Sequence, residues 1–196
     1  MSVDTENKIK EAARKLFREK GYAATRTRNI AEDAGINLAL LNYYFKSKEQ
    51  LFKIIMMEEF EKFFNALFVN INNKEMPLRE KLITIAKQYF ATMKEEQELP
   101  TFIISEVHVN PEYILDFLLL KKNLMESHLL AQFREIGYSE DEILNRILNL
   151  LSLILFPFIS KPVYTKVFDF DEEHYLKFME NRERQIPNWI DNLILN

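Results

Sequence analysis

Apolar residues return at helical spacing along most of this chain. Ile9, Ala12, Ala13, Leu16 and Phe17 recur at i, i+3, i+4, i+7 and i+8, so the spacing predicts a helix over about residues 6–20 with one buried stripe. Asp4 or Thr5 stands where its N-cap belongs, and Gly21 where a left-handed turn would end it. A short helix is expected over 27–34, with Ile30, Ala31 and Ala34 inward and a threonine cap ahead of it. Gly35 and Ile36 lead to Asn37, an N-cap for a third short helix through about Tyr44, anchored by the pair Leu41 and Phe45. Two short helices joined by a tight glycine-containing turn form a helix-turn-helix, whose second helix is the reader.

Ser47 and Gln50 then spell a capping box for a fourth helix, apolar through Leu51, Phe52, Ile55, Met56, Phe60 and Phe63 to about Val69. A polar boundary loop over 70–76 separates it from a helix over 77–96. Further helices are expected over 101–109, over 110–136 as one long element, and over 139–158 behind a second capping box at Ser139 and Glu142. Lys161-Pro162 reads as a break, and a last helical stretch from about residue 171 is interrupted at Pro187. The fold class is therefore all-α with about nine helices: a three-helix helix-turn-helix domain in residues 1–47 and a larger helical domain in residues 48–196.

Composition narrows the function. Three glycines and six prolines leave few residues for the turns of an all-β fold. The absence of cysteine removes disulfides, thiolate metal sites and cysteine nucleophiles, and suits a reducing cytoplasm. The opening MSVDTENKIK has no apolar run of the signal-peptide kind, and the apolar stretch over 143–159 is broken by Asn145, Arg146, Asn149 and Ser152, so buried helix is preferred to a membrane span. The net charge of −4 divides unevenly: residues 1–50 carry +3 and residues 51–196 carry −7. A mildly basic head on an acidic body fits a polyanion touched at one end.

Residues 21–52, GYAATRTRNIAEDAGINLALLNYYFKSKEQLF, strongly resemble the DNA-binding signature of the tetracycline-repressor (TetR) family. The resemblance rests on Gly21-Tyr22, Thr25, Arg28, Ile30-Ala31, Ala34-Gly35-Ile36, Leu41, Tyr43 and the run Phe45-Lys46-Ser47-Lys48 before an apolar helix. It implies a homodimeric, sequence-specific transcription regulator in the cytoplasm, a repressor released from a pseudo-palindromic double-stranded operator by a small apolar or amphipathic effector. It implies neither enzymatic activity nor a cofactor or metal. The candidate DNA contacts are Thr27, Arg28, Asn37, Leu38, Ala39, Leu40, Asn42, Tyr43, Tyr44 and Lys48. Arg28 suits a guanine or a phosphate, and Asn42 suits the backbone or an adenine edge. Tyr43 and Tyr44 resemble the family's backbone contacts. Lys46 and Lys48 flank the start of the fourth helix, with Lys48 the preferred phosphate contact. Leu38, Ala39 and Leu40 depart from the family, where polar and small residues are common. Either they pack on thymine methyls, or Leu38 or Leu40 folds back on the core.

In the second domain the resemblance implies an effector pocket and a four-helix dimer interface. Phe64, Phe90, Met93, Phe102, Glu106, Tyr113, Phe117 and Met125 are the candidate pocket residues, each also readable as ordinary core. Ile143, Ile147, Leu150, Leu151 and Ile154 form one stripe and Leu144, Leu148 and Leu155 another, and a helix apolar on two faces must be covered on both. Ile143, Ile147, Leu150, Leu151 and Ile154, with Tyr175, Phe178 and Met179 of the last helices, are the expected interface. An enzyme is disfavoured: His108, His128 and His174 lie far apart, and no HExxH or phosphate-cradling glycine loop occurs. A protein partner in place of the small molecule stays open.

Overall fold

The computed structural model describes residues 2–120 and 125–195, and among these every regular element is helical. Twelve helical segments occur there: α1 Ser2–Ala24, α2 Thr27–Asp33, α3 Leu38–Phe45, α4 Lys48–Asn70, α5 Leu78–Glu95, α6 Leu99–Val109, α7 Pro111–Leu120, α8 His128–Ile136, α9 Glu140–Ile159, α10 Lys161–Val167, α11 Glu172–Arg184 and α12 Ile186–Leu195. The long helix expected over 110–136 is two elements. Ser127 is buried and its hydroxyl caps α8 by accepting from Leu130 N, while residues 121–124 lie outside the described residues. The expected break at 161–162 is instead the first turn of α10, which Pro162 tolerates because an N-terminal N–H has no partner to lose.

The chain divides into two compact units. The first comprises Met1–Glu61 with Glu106–Phe117, so it takes in the first part of α4 and most of α7, beyond residue 47. Its core is the expected stripe Ile9, Ala12, Ala13, Leu16 and Phe17 closing on Ile30, Ala31, Leu41 and Phe45, all buried. Phe52 extends it, edge-on to Phe17 at 4.9 Å, and Phe60 meets Phe117 at 5.4 Å. Helix α1 breaks its regular backbone at Gly21, where φ is 74°. The threonine expected to cap α2 does other work: the Thr25 hydroxyl donates to Gly21 O at 2.8 Å and contacts Leu16 O at 3.1 Å, fastening the end of α1.

The second unit comprises Lys62–Ser105 and Leu118–Asn196. Its centre is α5, whose Leu82, Ile85, Ala86, Tyr89, Phe90 and Met93 are buried. Against these pack α8 through Leu129, Leu130 and Phe133, α9 through Ile143, Leu150, Ile154 and Phe158, and α12 through Ile186, Ile190 and Leu193. Bidentate Arg79–Asp191 ties α5 to α12, and Lys94–Glu183 ties α5 to α11. The capping box expected at α9 forms in full, with Ser139 Oγ accepting from Glu142 N and the Glu142 carboxylate accepting from Ser139 N. By length and apolarity α9 could cross a membrane, but one of its faces is core, and Glu140, Asp141 and Glu142 occupy its first turn.

Candidate functional site

Helix α2 stops at a Schellman turn. Ile36 N donates to Ala31 O at 2.9 Å and Gly35 N to Glu32 O at 3.1 Å, with Gly35 at φ 67°, a conformation that a Cβ would strain. Asn37 follows in extended conformation, and its side chain accepts from Leu40 N at 2.8 Å, the N-cap expected for α3. Leu41 and Phe45 then anchor α3 with almost no exposed surface. Because residues four apart share a helix face, fixing that pair inward turns 38, 39, 42 and 43 outward. Leu38, Ala39, Asn42 and Tyr43 are exposed, Tyr43 by 78%, whereas Leu40 and Tyr44 are half-buried. Tyr44 sits edge-on to Tyr43 at 5.5 Å.

Arg28 is exposed on α2, and so is Arg26, which the sequence reading did not single out; neither makes an ion pair among the described residues. Thr27 between them is half-buried. The Arg26-Thr27-Arg28 spacing, two cations bracketing the start of a helix, was the available signal for Arg26. The two lysines differ in what they already hold. Lys48 Nζ donates to Tyr22 O at 2.9 Å and Thr25 O at 3.0 Å and lies 4.0 Å above the Tyr22 ring, so two of its three N–H donors are taken by the segment where α1 ends. Lys46, at φ 57° in the turn after α3, is exposed and free of such contacts among the described residues. That leaves Lys48 one N–H donor, against all three on Lys46.

Behind this surface α1 is clamped to α4 by charge. Glu59 has no exposed surface, and the guanidiniums of Arg14 and Arg18 both donate to it, Arg14 Nε at 2.8 Å and Arg18 Nε at 3.1 Å. Arg14 also meets Glu58 and Glu11, and Lys10 reaches Glu58 at 2.8 Å. A buried carboxylate is tolerated when paired and hydrogen-bonded to this extent, and the arrangement fixes α4 at one setting on α1.

The expected effector residues do not gather in one unit. Phe64, Phe90, Met93 and Phe102 belong to the second unit, Glu106, Tyr113 and Phe117 to the first. Phe90 is core packing, 5.7 Å from Phe158 and 6.5 Å from Trp189. Glu106 is buried with Asn110 Nδ2 at 3.2 Å, and burial pushes its carboxyl up from the ordinary range. Met125 is 64% exposed, which removes it from any closed cavity.

The dimer stripe also needs correcting. Ile143, Leu150, Ile154, Tyr175 and Met179 are buried against their own chain and have no surface left to give a partner. Ile147, Leu151 and Phe178 are half-buried. The free apolar surface of α9 includes two members of the other stripe, Leu144 at 56% and Leu148 at 50%, whose third expected member Leu155 is buried, together with Leu153 and Phe156 farther along the helix.

The sequence signature of bacterial regulatory proteins of the tetR family matches residues 9–55, the segment that builds this surface. Over 197 residues the chain is 28% identical to the probable HTH-type transcriptional regulator YttP of Bacillus subtilis (strain 168), covering 97% of this chain and 94% of that protein. Among solved structures, a TetR family transcription regulator from Marinobacter aquaeolei VT8 superposes with a TM-score of 0.68 at 19% identity, covering 95% of each chain. A Clostridium perfringens putative fatty acid metabolism regulator gives 0.67 at 21% identity over 93% of this chain and 97% of its own. The fatty acid degradation regulator FadR from Bacillus halodurans gives 0.63 at 19% identity over 95% of each chain.

Proposed function

We propose that this chain, like the regulators of the tetR family whose signature it carries at residues 9–55, is a DNA-binding transcription regulator and not an enzyme, a homodimeric repressor released from its operator by a small apolar or amphipathic effector. The observation that carries the reading is α3 itself, locked inward by Leu41 and Phe45 and presenting Leu38, Ala39, Asn42 and Tyr43 on a free face. Arg26, Arg28, Tyr43 and Lys46 supply phosphate contacts around it. Thr27, Asn37, Leu40 and Tyr44 support that surface from half-buried or capping positions. Two copies, joined through the exposed Leu144 and Leu148 stripe of α9, present two such helices to half-sites roughly 34–36 Å apart on one face of the duplex.

The effector acts by preferring a dimer whose readers no longer match that spacing, a population shift that requires unequal affinity for the two states. Two of the structural relatives are described as regulators of fatty acid metabolism or degradation, which makes an acyl chain the first ligand to try against this unit of Phe, Leu, Ile and Met. The test is selection of bound fragments from random duplex DNA, followed by titration of the complex with acyl ligands of graded length. A two-fold symmetric consensus released by ligand is the expected result. Absence of any selected sequence would overturn the reading.

One observation favours a protein partner on the second unit instead. Helix α10 has no buried residue and exposes Val163, Val167 and Phe168 together. A partner reading predicts that V163S/V167S/F168S abolishes release in cell extract while leaving operator affinity intact. The effector reading predicts no change in release.

A further inference from the structure

Resting on the DNA-binding reading above, we infer that α3 reads its half-site through thymine 5-methyl groups, with Leu38 and Ala39 as the methyl contacts and Asn42 as an adenine contact. The outward face of α3 consists of two rows one turn apart, Leu38 with Asn42 and Ala39 with Tyr43. Leu38 keeps 37% of its surface exposed and Ala39 is exposed, so both present apolar surface outward while Leu41 is wholly buried. These two open the helix, and the N-terminal residues of a reader are the ones that meet base edges.

Their chemistry restricts what they can meet. A leucine and an alanine offer no donor or acceptor. Pressed on guanine O6 and N7, or on the cytosine amine, they strip water from polar groups and return no hydrogen bond. The one apolar feature in the major groove is the thymine methyl. The face therefore favours A·T pairs under Leu38 and Ala39 and opposes G·C there. Asn42 differs: its side-chain amide is exposed and has no partner among the described residues, and an asparagine amide matches adenine N6 and N7 bidentately. The occupant is a duplex and not an apolar protein surface because the same helix-turn-helix segment exposes the cations Arg26, Arg28 and Lys46 and the phenol of Tyr43, within the first 50 residues, which carry a net charge of +3.

The test uses the full-length protein and the half-site it selects from random duplexes. Each thymine of that site is replaced in turn by deoxyuridine, which removes the 5-methyl and keeps base pairing, and affinity is compared at one salt concentration. One or two positions per half-site should each lose roughly fourfold in affinity, the effect of uncovering about one methyl group. At those positions Leu38→Ala should shrink the deoxyuridine penalty, while Leu38→Met keeps it. Circular dichroism melting confirms that each variant stays folded. Asn42→Ala should relax the preference for adenine at the neighbouring pair without touching the deoxyuridine effect. A half-site bound equally well with uridine throughout, or one containing no thymine, overturns this inference and leaves the regulator reading intact. A protein that selects no sequence from the pool overturns both.

Discussion

Two lysines only two residues apart, just past the helix-turn-helix, show how far a side chain's role depends on what lies within its reach. Lys48 donates to Tyr22 O and Thr25 O, so Lys48→Met leaves two carbonyls short of a charged donor and should cost roughly 1–3 kcal/mol of stability. The salt dependence of DNA binding should hardly change, whereas Lys46→Ala should leave stability alone and reduce the salt slope by about one unit. Denaturant melts and salt titrations on the same two variants separate the roles, and a reduced slope for Lys48→Met would return it to the phosphate contacts. A third lysine bears on pH. Lys81 on α5 has no exposed surface, and its ammonium lies 2.9 Å from His128 Nδ1 and 2.7 Å from Gln132 Oε1. The other charges on the adjoining segments are exposed or paired elsewhere, Arg79 with Asp191 and Arg134 with Glu140. Burial holds the Lys81 ammonium below its ordinary value of 10.5. Below the folded value both states are protonated, and the native state carries the full cost of the buried charge. Between the folded value and 10.5 the unfolded chain binds more protons, so stability contributed by this group rises with pH. The stability of wild type relative to Lys81→Met, which has no titrating group at this position, should therefore rise as pH climbs toward the ordinary lysine value. Urea midpoints across that alkaline range give the measurement, and a constant gap would show that Lys81 does not titrate differently in the two states.

At the level of single helices, α9 contains a proline where a helix should not have one. Pro157 has no N–H for the carbonyl four residues earlier, Leu153 O, and Arg182 Nη2 of α11 donates to that oxygen at 2.8 Å. The guanidinium replaces the missing backbone donor, and Tyr175 Oη fastens the same turn through Pro157 O at 3.1 Å. Arg182→Met should then cost about 1–2 kcal/mol in the natural background. Much of that cost should vanish in Pro157→Ala, which restores the backbone donor, and a double-mutant cycle by chemical denaturation reads the coupling. Additive losses would refute the replacement. This repair was invisible in the sequence because it joins residues 29 apart on two helices. What could be read there was local: the α1 stripe, the Asn37 cap, the Gly35 turn and the Ser139 capping box each lie within one or two helical turns. The face of α3 was legible for the same reason, since Leu41 and Phe45 fix its direction. The two stripes of α9 were both visible, but which one faces its own core is decided by α5, α8 and α12, and spacing along α9 carries no trace of them. The division between α7 and α8 escaped for a smaller cause: Ser127 is a good cap, yet no glycine or proline flanks it.

For the whole protein the burial pattern of α9 bears on the homodimer proposed above. A side chain already buried in its own subunit cannot lose further surface on association, so Ile143, Leu150 and Ile154 stabilise the protomer and, in the homodimer proposed above, Leu144 and Leu148 are the ones left for the interface. The two stripes make opposite demands on mutagenesis. Ile154→Ala opens a cavity and should cost about 2–5 kcal/mol of stability, with dimer lost only as the subunit unfolds. Leu144→Arg with Leu148→Arg places two charges on surface that a second copy must dehydrate, and leaves the core untouched. That variant should keep its helical circular dichroism, sediment as a monomer and bind the selected operator roughly a hundredfold or more weakly, because the second half-site is no longer reached at high effective concentration. Its affinity for an isolated half-site should match wild type, since α3 is unaltered. A double-arginine variant that still sediments as a dimer would move the interface off this face of α9, and the half-site spacing argued from it would have to be rebuilt on another helix.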